Sequence, residues 1–292
     1  MTRLGHLSTE AARPERAEID RLPTGELVRL MNEDDQAVAL AVAEARAQIA
    51  AAIDAIVPRL QRGGRLVYVG AGTAGRLGVL DASECGPTFN SDQVVGFIAG
   101  GAGAVSTATE AAEDDAHAGA GLPLSAGDAV VGISASGRTP YVLGALEHAD
   151  AIGATTIALV CNPDTPLARA AQHAIEVVVG PEFIAGSTRL KAGTAQKLVL
   201  NMLSTLAMVR LGKTYGNLMV DVRVTNEKLR DRATRIVEQV TGAPREQAVR
   251  ALAQAGDDAK VASVMLRVGV SAGEARERLT AADGHLRRAL GE

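Results

Sequence analysis

Aromatic side chains make up only 2% of this 292-residue chain, with three tyrosines, three phenylalanines and no tryptophan. A core so poor in rings must be packed by Ala, Val, Leu and Ile, and the scarcity argues against stacking platforms for sugars or bases. Cysteine is scarce too. Cys85 and Cys161 cannot build a disulfide-rich scaffold, and neither lies in a C-x-x-C pair. His6, His117, His148, His173 and His285 are scattered without ligand spacing, so no metal site is expected. No basic-plus-apolar leader precedes a small-residue cleavage site, and with two cysteines a reducing cytoplasm is the expected location. Charge of one sign is not segregated. The 34 acidic and 30 basic residues are interspersed for a net of −4, which suggests neither a nucleic-acid nor a membrane surface. The longest apolar stretch, residues 198–212, is interrupted by Asn201, Ser204 and Arg210 and reads as a buried core helix rather than a membrane span.

What is present is a chain that is 47% hydrophobic, enough for one large domain or one large and one small. Residues 1–22 show little periodicity and read as an arm of the kind that lies over a partner subunit. Residues 24–60 repeat apolar positions at helical spacing, predicting one or two long helices with Thr24 as N-cap and Gly63-Gly64 as terminator. Five short β-branched runs follow, at 65–69, 94–99, 129–134, 155–160 and 175–179, as expected of strands covered on both faces. Residues 74–83, 105–117 and 141–152 are long enough for crossover helices between them. The pattern predicts an α/β fold, a three-layer sandwich around a mostly parallel five-stranded sheet with ligand loops at its C-terminal edge. From about residue 240 short amphipathic segments predict a small C-terminal helical domain, with Ser271 and Glu274 forming a capping box.

Chemistry is expected at the strand ends. GISASGRTP, residues 132–140, runs from a strand through a small-residue loop into a helix, where hydroxyls and first-turn N–H groups can cradle an anion. The alternative is an ordinary strand-to-helix turn that uses small residues for capping. Ser134 and Ser136 are not in a G-x-S-x-G elbow, which suits them to holding rather than attacking. Gly70, Gly72 and Gly75 have G-x-G-x-x-G spacing after a strand, yet residues 98–101 supply no acid for a ribose, which weakens a dinucleotide reading. No G-x-x-x-x-G-K-[ST] run exists, leaving ATP hydrolysis without support. Acidic candidates near the loops are Glu84, beside a Gly86-Pro87 break at the end of the first crossover helix, and Glu110 and Glu113, spaced to share a helix face. For Glu110 and Glu113, a solvated acidic stretch helping a helix N-terminus is the competing reading.

Four stretches, residues 66–89, 130–142, 180–205 and 212–229, together resemble the N-acetylmuramic acid 6-phosphate etherase family of the sugar isomerase (SIS) superfamily, also related to glucokinase regulatory protein. The resemblance runs from about residue 8 to the C-terminus. It implies an N-terminal arm and helices over residues 1–60 packing on the core or a partner subunit, an SIS sugar-phosphate domain over 61–235, and the small helical domain over 240–292. It also implies a cofactor-independent carbon–oxygen lyase that releases D-lactate from N-acetylmuramic acid 6-phosphate in cell-wall sugar recycling, acting as a homodimer with active sites near the interface. The family's phosphate loop falls on Ser134, Ser136, Gly137, Arg138 and Thr139, with Thr73 from the first loop. Its two glutamates fall on Glu84 and Glu113; Glu182, Lys191 and Asn226 lie in matched segments as further pocket candidates. Ala74 stands where a serine is common, Gly86 where a proline is frequent and Ala111 where a glycine is usual. Two other activities could use the same cup: a non-catalytic sugar-phosphate-binding regulator and an aldose-ketose isomerase.

Overall fold

The computed structural model describes residues 7–107 and 109–292, with the side chain of Glu110 outside the description. The expectations for residues 1–6 of the arm, including His6, and for the Glu110 carboxylate therefore lie outside the described residues. The chain divides into two compact units, one of residues 1–82 and 93–204, the other of residues 83–92 and 205–292.

The first unit is built on a fully parallel sheet, in spatial order β2-β1-β3-β4-β5. Its strands are β1 (Leu66–Gly70), β2 (Val94–Ile98), β3 (Ala129–Ser134), β4 (Thr155–Val160) and β5 (His173–Glu176). Because side chains alternate along a strand, each strand feeds two layers. Val67, Val69, Val130, Ala158 and Val160 pack with Val142, Ala145, Leu146 and Ala149 of helix α5 (Pro140–Ala151). From the opposite side of β1, Tyr68 donates through its hydroxyl to Asp81 on helix α3 (Gly72–Phe89) at 2.9 Å, and Asn201 on helix α7 (Lys191–Arg210) donates to the same carboxylate at 2.6 Å. Helices on both faces make the expected three layers. Two long helices, α1 (Thr24–Glu44) and α2 (Arg46–Gln61), precede the sheet. Short helices α4 (Ala116–Ala120) and α6 (Pro166–Ala170) complete this unit.

Several local expectations are corrected. Pro23, not Thr24, stands at the N-cap of α1, with no side-chain cap bond. The helix expected over 105–117 is replaced by single 3-10 turns at Ala102–Val105 and Glu110–Asp114 before α4, because Gly100 and Gly101 take φ of 86° and 71° and Asp115 caps α4 by accepting from Ala118 N. Helix α3 does not stop at Gly86-Pro87. A proline in the last turn removes one hydrogen bond only, and the helix runs on to Phe89, ending where Asn90 turns to φ 48°. Strand β5 starts two residues before its apolar run and ends at Glu176, where its partner β4 ends at Val160. Residues 7–21 form three 3-10 turns docked on their own chain: Ser8 N donates to Asn162 Oδ1 at 2.8 Å, and Asn162 Nδ2 donates to Thr9 Oγ1 at 3.0 Å. The interrupted apolar helix α7 buries Val199, Leu200, Leu203 and Met208 while leaving Leu206 and Val209 exposed. Among the described residues no helix is long and apolar enough to cross a membrane.

The second unit is helical: α8 (Glu227–Thr241), α9 (Arg245–Ala255), α10 (Ala259–Val264), α11 (Ala272–Ala281) and α12 (Leu286–Ala289) bury Ile236, Val237, Val240, Leu252 and Val264 among their neighbours. The capping box is present as read, Ser271 accepting from Glu274 N and Glu274 accepting from Ser271 N. Lys260, almost wholly buried, donates to Asp221 Oδ2 at 2.7 Å and to the Gly284 carbonyl at 2.8 Å.

In the first unit, Asp128 ties the starts of β1 and β3 together. It is 1% exposed and accepts from Arg65 N and Nε, both at 3.1 Å, and from Arg65 Nη2 at 2.7 Å and Ser125 N at 2.9 Å. Burial pushes its carboxyl up, but the Arg65 guanidinium and the backbone N–H groups outweigh it and hold the group below the usual carboxylate range. A carboxylate depressed in the folded state adds stability above its unfolded pKa and loses it as pH falls through the folded one. Asp128→Ala is expected to cost about 3 kcal/mol in denaturant unfolding at neutral pH, with the deficit shrinking as pH drops below the ordinary carboxylate range.

Candidate active site

In an open parallel sheet the ligand crevice opens where the strand order reverses, beyond the strands' C-terminal ends. Here β2 lies on one side of β1 and β3 on the other. The loops after β1 and β3 therefore splay apart at that point, and between them lies a cavity of about 620 Å³. Thr73 and Ala74 line it from the start of α3, and Ser134, Ser136, Arg138 and Thr139 from the turn into α5.

The glycine pattern after β1 has a packing cause. A Cβ on Gly70 would stand 2.6 Å from Gly75 N, and one on Gly75 would stand 2.7 Å from Gly70 O, so the pair lets strand and helix backbones touch. Strand and helix then turn tightly enough to present the N-terminus of α3 to the cavity. The G-x-G-x-x-G spacing is thereby used without a dinucleotide's acidic partner.

The β3–α5 turn is held by its own hydroxyls. Ser134 Oγ accepts from Gly137 N at 3.0 Å and meets Thr139 Oγ1 at 2.8 Å, while Ser136 Oγ accepts from Arg138 N at 3.3 Å. Thr139 occupies the N-cap of α5, yet its side chain makes no capping bond. The plain capping turn weighed from sequence is therefore not what this threonine does; its hydroxyl is turned to the serine and the cavity. Gly137 has φ 65°, and a Cβ there would lie 2.3 Å from Thr165 Oγ1.

The acidic candidates separate. Glu113, in the 3-10 turn Glu110–Asp114, lines the cavity together with its neighbour Asp114. Glu84 is exposed on α3 in the second unit and is not among the lining residues. Glu182 and Lys191 are not among them either. Glu182, 2% exposed, accepts from Lys191 N at 2.9 Å and Ala192 N at 3.0 Å, putting a negative charge on the orphan donors that begin α7. Lys191 Nζ donates to the Val179 carbonyl at 2.7 Å, and its burial lowers the ammonium below the usual lysine range. Asn226 is the N-cap of α8, accepting from Leu229 N at 2.9 Å. Among the described residues no group of three or more His, Cys, Asp and Glu side chains could hold a metal ion, and both cysteines are free and buried.

Sequence reasoning missed Glu10, Thr188 and Gln196, all of which line the cavity. Glu10 comes from the N-terminal segment assigned to a partner-covering arm. Its signal was the long-range tie of Ser8 and Thr9 to Asn162, which no local pattern encodes. Asn162 also donates to the Ala135 carbonyl at 2.9 Å, so one amide fastens this segment to the phosphate-loop candidate. Thr188 and Gln196 lie inside a stretch already singled out, and Gln196 was detectable as a polar residue on the apolar face of α7.

A model of the glucokinase regulatory protein N-terminal SIS domain matches residues 48–150, an SIS domain model matches 104–206, and a model of the C-terminal lid domain of glucokinase regulatory protein matches 216–263. The chain is 62% identical to the N-acetylmuramic acid 6-phosphate etherase of Streptomyces avermitilis, over 97% of this chain and 93% of that one. It is 61% identical to the enzyme of the same name from Rubrobacter xylanophilus, over 99% and 98%. The chain belongs to the N-acetylmuramic acid 6-phosphate etherase family. Among solved structures, a phosphoheptose isomerase from Francisella tularensis aligns with a TM-score of 0.49 at 18% identity, covering 64% of this chain and all of that one (100%). Within this etherase-family chain, Gly137→Ala is expected to destabilise the first unit by about 1–3 kcal/mol through φ strain and the Thr165 contact, read by denaturant unfolding, whereas Gly101→Ala has open space to enter and is expected to cost less.

Proposed function

We propose that the cavity between the β1 and β3 loops is where N-acetylmuramic acid 6-phosphate loses its D-lactyl group. The observation that carries this is the hydroxyl-held Ser134–Thr139 turn sharing one cavity with the Glu113 carboxylate, in a chain belonging to the etherase family. In this reading Ser134, Ser136, Gly137, Arg138 and Thr139, with Thr73, hold the phosphate. The phosphate is remote from the reacting carbons, so its binding energy serves to orient them.

The ether oxygen at C3 of the open-chain sugar is β to the C1 aldehyde. Removal of the C2 proton by Glu113 gives an enolate whose electrons expel the C3 oxygen, forming the C2–C3 double bond. The acid, taken from the family resemblance, is Glu84, which does not line the cavity described above: it protonates the departing lactate oxygen and then serves as base for water, whose oxygen adds at C3 while C2 regains a proton. The sum is water plus substrate giving D-lactate and N-acetylglucosamine 6-phosphate. The aldehyde itself is the electron sink, so the step asks no cofactor of the protein. General acid–base catalysis of this kind is worth roughly 100-fold to 10,000-fold per group.

A homodimer is part of the proposal, supported by Val28 and Leu40 of α1, which stand 63% and 71% exposed. Sedimentation at micromolar concentration is expected to give twice the chain mass. A cytoplasmic location is supported by the two free cysteines.

Glu84→Ala is expected to lower lactate release by about 100-fold or more while exchange of the C2 proton with solvent persists, measured by lactate assay and by deuterium incorporation. Glu113→Ala is expected to lose both. Normal turnover in either variant would remove that residue from its role. Interconversion of sugar phosphates without lactate would point to an isomerase, and binding without turnover to a regulator.

A further inference from the structure

Helix α7 buries Ala192, Ala195, Val199, Leu200 and Leu203, the spacing of one apolar face. Position 196 belongs to that face and is expected to be apolar. It is glutamine, 1% exposed. Its Nε2 has no hydrogen-bond partner among the described residues, although a buried amide left unsatisfied is costly. The same residue lines the cavity that holds Glu113 and the Ser134–Thr139 turn. A group both buried and unpaired at a cavity wall calls for a partner that enters with a ligand.

We infer that Gln196 is a substrate-positioning residue that donates through Nε2 to the carbonyl oxygen of the sugar's C2 acetamido group; this rests on the sugar-phosphate reading above. The donor is neutral. Taking a carboxylate or phosphate out of water demands a cation or several donors, whereas one amide N–H balances one neutral carbonyl oxygen. The cavity wall also carries Glu10, Glu113 and Asp114, and a neutral acetamido group adds no negative charge beside them. Of the groups on the proposed substrate, only the acetamido offers a neutral carbonyl oxygen that persists through the whole reaction. It is attached to C2, the carbon whose proton must be removed, so the contact fixes the reacting centre as well as the specificity.

The experiment compares binding of N-acetylglucosamine 6-phosphate and glucose 6-phosphate, which differ in the C2 substituent, to the full-length wild-type chain and to Gln196→Met, by titration calorimetry. Wild type is expected to prefer the acetylated sugar by about ten-fold or more, and Gln196→Met to lose most of that preference while keeping its affinity for glucose 6-phosphate. Retained preference in the variant, or none in wild type, overturns the inference. Loss of both ligands in the variant would make Gln196 a residue of the fold and also overturn it. Failure of wild type to bind either phosphate would instead overturn the sugar-phosphate reading and take this inference with it.

Discussion

Ser134 Oγ, accepting from the Gly137 N–H and meeting the Thr139 hydroxyl, is the contact on which the candidate site depends. It bends the end of the central strand β3 into a closed turn before α5 begins. The turn is possible because Gly137 accepts a left-handed backbone that places it against Thr165. From that fixed point the rest is assembled. Leu167 N donates to the Gly137 carbonyl at 3.0 Å, and Asn162 donates to Ala135, bringing the loop after β4 and the N-terminal segment onto the same turn. A cup made this way is rigid before any anion arrives, which lowers the ordering cost of binding.

That rigidity separates holding from chemistry. Ser136, whose oxygen accepts from the Arg138 N–H, keeps its own O–H to donate to an anion, while the carboxylates come from elsewhere in the chain. Glu113 reaches the cavity from a segment that is not a crossover helix but two 3-10 turns. A regular helix from residue 105 would have given Glu113 a different direction, so the glycines at 100 and 101 are part of how the proposed base is aimed. Family membership sets the chain among N-acetylmuramic acid 6-phosphate etherases, and the hydroxyl-held turn and Glu113 share one cavity.

Much of the sheet was legible. β3 and β4 were read to the residue, because continuous β-branched runs covered on both faces leave little else to be. The capping box of α11 was equally plain, being a local hydrogen-bond pair between residues three apart. What failed was the reading of residues 105–117 as one helix and of Gly86-Pro87 as a stop. In both cases the outcome rests on single hydrogen bonds that composition does not report. The phosphate-loop candidates were visible for the same reason as the capping box: they are consecutive. Glu10 was not, because it is delivered by a 153-residue tie of its neighbour Thr9 to Asn162, whereas Gln196 had a signal that went unused, being polar on an otherwise apolar helix face.

The most direct test of the account is a crystal structure of the chain with N-acetylglucosamine 6-phosphate bound. Phosphate oxygens are expected within hydrogen-bond distance of Ser136 and Thr139, and C2 within about 3.5 Å of the Glu113 carboxylate. A phosphate seated away from the Ser134–Thr139 turn, or a C2 turned away from Glu113, would contradict it.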